Sequence, residues 1–254
     1  MRFAMPRVVF ALLMREMNTT YGRSAMGYVW AVLEPIAAIG LLSVIFSIAF
    51  RSPALGVSFP LFYAAGYLPF MYFTDTSIGL AQSIRFSRQL LFYPRVTFVD
   101  ALLARLILKT LTHGLVFLVV ISGIQIFSET RVVIQFEYIF SAFAMAGALA
   151  IGVGVLNCFL FEILPAWERM WSIVTRPLFI LSGILFTIES VPEPYRSLLL
   201  VNPLTQFVSE MRRGFYPYYD GKFTSYLYVY GIALVMAAAG FLLLKRYSRK
   251  LLDG

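Results

Sequence analysis

The sequence predicts an all-α polytopic integral membrane protein. Three observations carry that prediction. The chain is 60% hydrophobic, 13% charged and has a mean hydropathy of +0.79. Its apolar runs approach or exceed the roughly 20 residues that cross a bilayer as helix. Its Lys and Arg residues gather between alternate runs, as retention on the cytoplasmic side requires. Spans fall at 29–50, 60–83, 106–127, 139–161, 171–189 and 226–244. Six spans put both termini on one side, and that side holds fifteen basic residues against six on the other. The expected fold is therefore six transmembrane helices with cytoplasmic ends, forming a single membrane domain over 1–254.

The +8 net charge follows this topological bias, so nucleic acid is not an expected partner. One cysteine, Cys158, and one histidine, His113, exclude a disulfide framework and a multi-Cys metal site. The opening MRFAMPRVVFALLMRE has too short an apolar run and no small-residue cleavage pattern to read as a signal peptide.

Before the first span, residues 6–18 read as a helix with Phe10, Leu13, Met14 and Met17 on one face and Arg7, Ala11 and Arg15 beside them. This helix is expected in the inner interface, with packing into the bundle as the alternative. In the first span Arg23, Gly27, Trp30 and Glu34 share a face, with Pro35 following. That face suits the polar head of an amphiphile, or tight packing against a second copy with Glu34 bonded to it. In the second span Tyr63, Tyr67, Phe70, Thr74 and Ser77 form a stripe in which aromatics give way to hydroxyls. Such a stripe fits a saccharide path, since sugars stack on aromatic faces; packing is the alternative. Pro69 and Asp75 in this span favour a protein-facing or wet environment.

The loop IRFSRQLLFYPRVTFVD, 84–100, mixes Arg88 and Arg95 with Leu91, Phe92 and Tyr93. It suits docking to a soluble partner or a turn held by arginine and phosphate. At the inner end of the third span Arg105, Lys109 and His113 form one ridge; Arg105 and Lys109 join Arg23, Trp30 and Glu34 as the lipid-anchor entry, with snorkelling the alternative for both and a satisfying neighbour expected for His113. The fourth span carries two small-residue stripes, Ala144, Ala148, Gly152 and Ala146, Ala150, Gly154, which read as an internal helix contact or a dimer seam. Residues 190–225 are long for a connection and look structured. Asn202 is expected to cap a helix that starts at Pro203, buries Leu204, Phe207, Val208 and Met211, and stops at Gly214. It folds back as a lid or re-entrant hairpin, or lies as an ordinary surface helix.

No GxxxxGK[ST], HExxH, CxxC or GxSxG motif is present, so the chain encodes no readable hydrolytic engine. A paired-carboxylate enzyme built on Glu34 and Asp75 and a secondary transporter are the rival classes. The rivals predict turnover by the isolated chain and ion-driven transport, respectively.

YGRSAMGYVWAVLEP at 21–35, LLFYPRVTFVDALLARLILKTLTH at 90–113, and RPLFILSGILF at 176–186 followed by VNPLTQFVSEMRRGFY at 201–216 resemble the membrane subunit of type 2 ABC exporters. Within that family they resemble the KpsM-type capsular polysaccharide permeases. PAWERMW at 165–171 matches less closely. The resemblance implies a homodimer forming an export channel, with two copies of a cytoplasmic ATPase that uses ATP and Mg. The resemblance also implies that this chain binds no cofactor and is no enzyme on its own. The implied cargo is lipid-linked polysaccharide, passed from the bacterial inner membrane to a periplasmic co-polymerase and an outer-membrane channel. It also implies that 6–18 is the interface helix, Ser87 to Thr97 the coupling element, and 192–216 the periplasmic gate, here carrying Asn202, Phe207, Met211, Arg212 and Phe215. The alternative cargoes are O-antigen or teichoic acid.

Overall fold

The computed structural model describes residues 4–20, 26–91, 96–127 and 132–253. Ten α-helices occur among them: α1 (Ala4–Thr20), α2 (Met26–Ala49), α3 (Phe59–Ala81), α4 (Ser83–Leu91), α5 (Phe98–Phe127), α6 (Phe136–Ile163), α7 (Pro165–Leu181), α8 (Tyr195–Leu200), α9 (Pro203–Phe215) and α10 (Tyr226–Asp253). No strand occurs among the described residues. Among the described residues four helices are long and apolar enough to cross a membrane: the 29–49 part of α2, all of α5 and α6, and the 226–247 part of α10. α3 has 23 residues, with Pro69 inside it and its polar side chains toward its C-terminal end.

α6 is the central post, packed against α3, α9 and α10. Its small residues make that possible. A Cβ on Gly152 would lie 2.6 Å from the Ala233 carbonyl oxygen of α10, and one on Gly154 would lie 2.9 Å from the Ser77 carbonyl oxygen of α3. Gly152 and Gly154 therefore serve internal contacts with two different helices, while Ala144 of the first stripe lies exposed. Gly152→Ala forces backbone against backbone, which cannot yield as a flexible side chain does. It should cost about 1–3 kcal/mol, read as a lower melting temperature of the purified protein, whereas Gly123→Ala, whose Cβ meets open space, should not.

Two helix boundaries depart from expectation. The third span was expected from 106, but α5 starts at Phe98 because Thr97 and Asp100 form a capping box. The Thr97 amide and hydroxyl donate to Asp100 Oδ2 at 2.9 and 2.7 Å, and the Asp100 amide donates back to Thr97 Oγ1 at 3.3 Å. The span drawn over 171–189 is not one helix. α7 begins at Pro165 and ends at Leu181, where Gly183 adopts a φ of +75° that an L side chain disfavours. The chain beyond is held by Arg212 of α9, whose guanidinium donates to the Ile184 and Phe186 carbonyls at 2.9 and 2.7 Å and stacks 4.2 Å from the centre of the Phe62 ring.

α9 is no surface helix. Leu204, Phe207, Val208, Met211 and Phe215 are all buried, against α3 and α6. Asn202 caps it as expected, accepting from the Leu204 amide at 3.1 Å, and its amide also donates to the Leu181 carbonyl at the end of α7. Gly214 does not stop the helix, which runs to Phe215. A Cβ there would meet Ile139 at 2.5 Å, so this glycine admits the start of α6.

Candidate functional site

Where α1, α3, α4 and α5 meet, polar side chains line a cavity of about 420 Å³ that includes Arg15, Glu16, Asp75, Gln82, Arg105 and Lys109. A second cavity of about 210 Å³ lies next to it between α2, α3 and α5, lined in part by Gly27, Trp30, Glu34, Asp75, Lys109 and His113. Asp75 and Lys109 belong to both walls. Charged groups held out of water are costly unless paired, so their arrangement is informative.

Arg105 is not a snorkelling residue. Its side chain is 10% exposed, and its Nε and Nη2 reach the Glu16 carboxylate at 3.2 Å. Nη1 donates to the Gly79 carbonyl at 2.7 Å, and the guanidinium sits 4.5 Å from the centre of the Phe86 ring. A planar fork meets a carboxylate, a carbonyl and a ring, which an ammonium would not match. The pair fastens α1 to α5, with Leu12 buried beside it while Phe10 and Met14 are exposed. α1 thus packs one face into the bundle, the alternative weighed for it, while Phe10 and Met14 lie exposed.

His113 has the neighbour expected of it: its Nε2 lies 3.3 Å from Asp75 Oδ2. This contact joins α5 to α3. Neither Arg15 nor Lys109 makes a salt bridge among the described residues, nor does Glu34. Trp30 and Glu34 share the face inferred for them, with Trp30 62% exposed; Arg23 lies outside the described residues.

The stripe on α3 divides. Tyr63, Phe70 and Ser77 are buried, and Tyr67 and Thr74 are half-buried. Tyr67 and Phe70 both meet Phe179 of α7 edge-on, with ring centroids 6.1 and 5.6 Å apart. Ser77 donates to the Thr74 carbonyl at 2.9 Å. Within one chain these residues join α3 to α7.

α4 is amphipathic and carries Arg88 at its last turn. The side chain of Leu91, together with Phe92, Tyr93 and Arg95, lies outside the described residues. Arg85 and Gln82 hold α4 against the α6–α7 corner. Arg85 Nη1 donates to Glu168 Oε2 at 2.8 Å and its Nε lies 3.6 Å from Glu162, while Gln82 Nε2 donates to Glu168 Oε1 at 3.0 Å. The Arg85 hydrogen bond holds the Glu168 carboxyl below its ordinary pKa against the opposing effect of burial, with Gln82 adding to the lowering. Neither Glu16 nor Glu168 was singled out from the sequence as a site residue. The available signals were an acid within an otherwise apolar helix, and a Trp-flanked acid directly after Pro165.

The family comparison covers most of this geometry: residues 7–216 match the ABC-2 type transporter model. The chain belongs to the ABC-2 type transporter family. It is 29% identical over 244 residues to the polysialic acid transport protein KpsM of Escherichia coli, covering 96% of this chain and 95% of the relative. It is 24% identical over 246 residues to the capsule polysaccharide export inner-membrane protein CtrC of Neisseria meningitidis serogroup A, covering 96% and 92%. To BexB of Haemophilus influenzae, a protein of the same description, it is 21% identical over 243 residues, again covering 96% and 92%.

Proposed function

We propose that this ABC-2 chain is the membrane-spanning permease of an exporter that moves lipid-linked capsular polysaccharide across the bacterial inner membrane. The observation that carries this reading is the near full-length similarity to relatives named for polysialic acid or capsule polysaccharide export. On this reading the energy comes from a separate ATPase, present in two copies and using ATP and Mg; a sequence without a phosphate loop is in keeping with that. The six spans are α2, α3, α5, α6, α7 with the turn after it, and α10. Both termini are cytoplasmic, by the distribution of Lys and Arg.

Two such chains form the channel. α7 has no buried residue, and α2 exposes Val29, Leu33, Ile36, Leu41, Val44 and Ile48. Faces of this kind support a second copy as their cover. α4, Arg88 and the segment through Arg95 take the push of the ATPase. α8 and α9 form the re-entrant gate on the far side, from which a periplasmic co-polymerase and an outer-membrane channel receive the polymer.

The half-buried edge of the aromatic stripe, Tyr67 with Thr74, lies at the channel wall, where weak repeated contacts let sugars slide. Tyr67→Ala should lower surface polymer while leaving the complex assembled. It is a cleaner probe than Phe70→Ala, because emptying the buried Phe70 site would itself cost about 3–5 kcal/mol. The central test is deletion of this chain from its source cell, followed by co-purification of the restored protein with its ATPase. Intracellular accumulation of capsule polymer and polymer-stimulated ATP hydrolysis are expected. Accumulation of O-antigen or teichoic acid instead would reassign the cargo, and transport by the lone chain in vesicles would overturn the reading.

A further inference from the structure

α9 is gripped on two opposite sides. Glu210 and Arg212 stand two residues apart, which places their side chains roughly 200° apart around a helix of 3.6 residues per turn. Arg212 faces the turn after α7 and holds the Ile184 and Phe186 carbonyls. Glu210 faces the other way, toward α6 and α10, and is fully buried. Its carboxylate accepts from Ser141 Oγ of α6 at 2.8 Å, from Arg213 Nη1 of α9 at 3.0 Å, and from the Tyr226 hydroxyl at the first turn of α10. Arg213 is itself placed. Its guanidinium lies 4.1 Å from the centre of the Tyr138 ring of α6, and Gly221, at a φ of +56°, brings backbone so close to its stem that a Cβ there would lie 2.5 Å from Arg213 Cδ.

A carboxylate withdrawn from water is costly unless its lone pairs are met. Here three donors from three helices meet them, so a displacement of α9 against α6 or α10 leaves charge without a partner. Neutral bonds run alongside: the Ser225 amide donates to Gln206 Oε1 at 2.8 Å, the Tyr228 hydroxyl to the Val201 carbonyl at 2.6 Å, and the Gln135 amide to the Gly214 carbonyl at 2.9 Å. Glu210 adds a charge to this set, and charge-assisted bonds are roughly twice as strong as neutral ones. α7, by contrast, buries none of its residues. The chain turns inward beyond it, at Ser182 and Ile184.

We infer that Glu210 is a positioning residue for export: it pins α9 to α6 and α10, and through Arg212 this fixed bar holds the turn after α7 in place while α7 itself is displaced. A push delivered to α7 then shifts that helix relative to the segment beyond it instead of carrying both along. Without the pin, α9 follows α7, and hydrolysis runs with less export. This consequence rests on the exporter reading; the pin itself is a property of the folded chain.

The test is hydrogen exchange and export, both read on the complex with its ATPase. Glu210→Gln sets an amide against Arg213 and should speed exchange of the α9 and 184–188 amides by about tenfold or more, as loss of a charged hydrogen bond does, while the α5 amides exchange as in wild type. Export per ATP hydrolysed should fall about fivefold. Tyr226→Phe keeps the carboxylate and its arginine; it should act in the same direction to a smaller extent, and it reads the pin even where Glu210→Gln does not fold. Glu210→Gln with Arg213→Gln lets one amide donate to the other while Ser141 and Tyr226 keep their acceptor, and should restore most of both readouts. Exchange that rises equally in α5 and α9 marks a general loss of stability and overturns the positioning role. So does α9 exchange unchanged in both single variants, or export per ATP at the wild-type level while α9 exchanges faster. Exchange needs no cargo, so a cargo other than capsule polymer overturns the proposed function and leaves this arm standing.

Discussion

Arg105→Ala should destabilise the protein by about 3–5 kcal/mol, because it strands the Glu16 carboxylate in a site where neither partner side chain is more than 10% exposed. The carboxylate then loses the guanidinium fork that holds it, and the Gly79 carbonyl and Phe86 ring lose their partner as well. Removing both charges with apolar residues of similar volume, Glu16→Leu with Arg105→Met, should recover most of the loss, since a well-packed apolar pair often replaces a buried ion pair at little cost. Arg105→Lys should fall between the two, keeping the charge but not the fork that spans Glu16 and Gly79. Thermal melting and protease cleavage at α1 read the series. A loss under about 1 kcal/mol for Arg105→Ala, the range of an exposed pair, would show that the contact does not anchor α1.

The same residue marks the limit of what was legible in the sequence. Hydropathy located the apolar helices because lipid imposes a length on each, and local chemistry located the start of α9, because Asn202 and Pro203 act within one turn. The small residues of α6 announced close packing. What a one-dimensional pattern lacks is the partner. Arg105 at the inner end of a span reads as a snorkelling cation until α1, 89 residues earlier, supplies Glu16. Gly214 reads as a helix stop until Ile139 is seen against it, and α7 reads as a full span until Arg212 is seen holding the carbonyls of the chain beyond its end. The aromatic stripe was legible as a stripe. Its division into buried Tyr63 and Phe70 and half-buried Tyr67 depends on Phe179 of α7.

The second large effect is on coupling. Arg85 and Glu168 join α4, which receives the ATPase in the proposed exporter, to the start of α7, which flanks the aromatic stripe. The side chains are 47% and 33% exposed, so their pairing adds little to folding, about 0–1 kcal/mol as for other surface pairs. Their position matters more: through Arg85, Gln82, Glu162 and Glu168, a displacement of α4 is carried to the α6–α7 corner without crossing the packed interior. Arg85→Ala should therefore leave melting temperature and ATPase binding near wild type while removing about 1–2 kcal/mol of coupling, the size found for residues that link distant sites. That corresponds to a fall of roughly five- to thirtyfold in polymer exported per ATP hydrolysed. Glu168→Gln, which keeps an acceptor for Arg85 and Gln82, should lose less. The link should also hold across physiological pH. The Glu168 pKa is lowered in the folded protein, so the contribution of its ionised form is complete above the ordinary glutamate value of about 4.3 and is lost only as pH falls through the lower folded value. Export per ATP that is unchanged in Arg85→Ala, with the complex intact, would mean that force reaches α7 by another route.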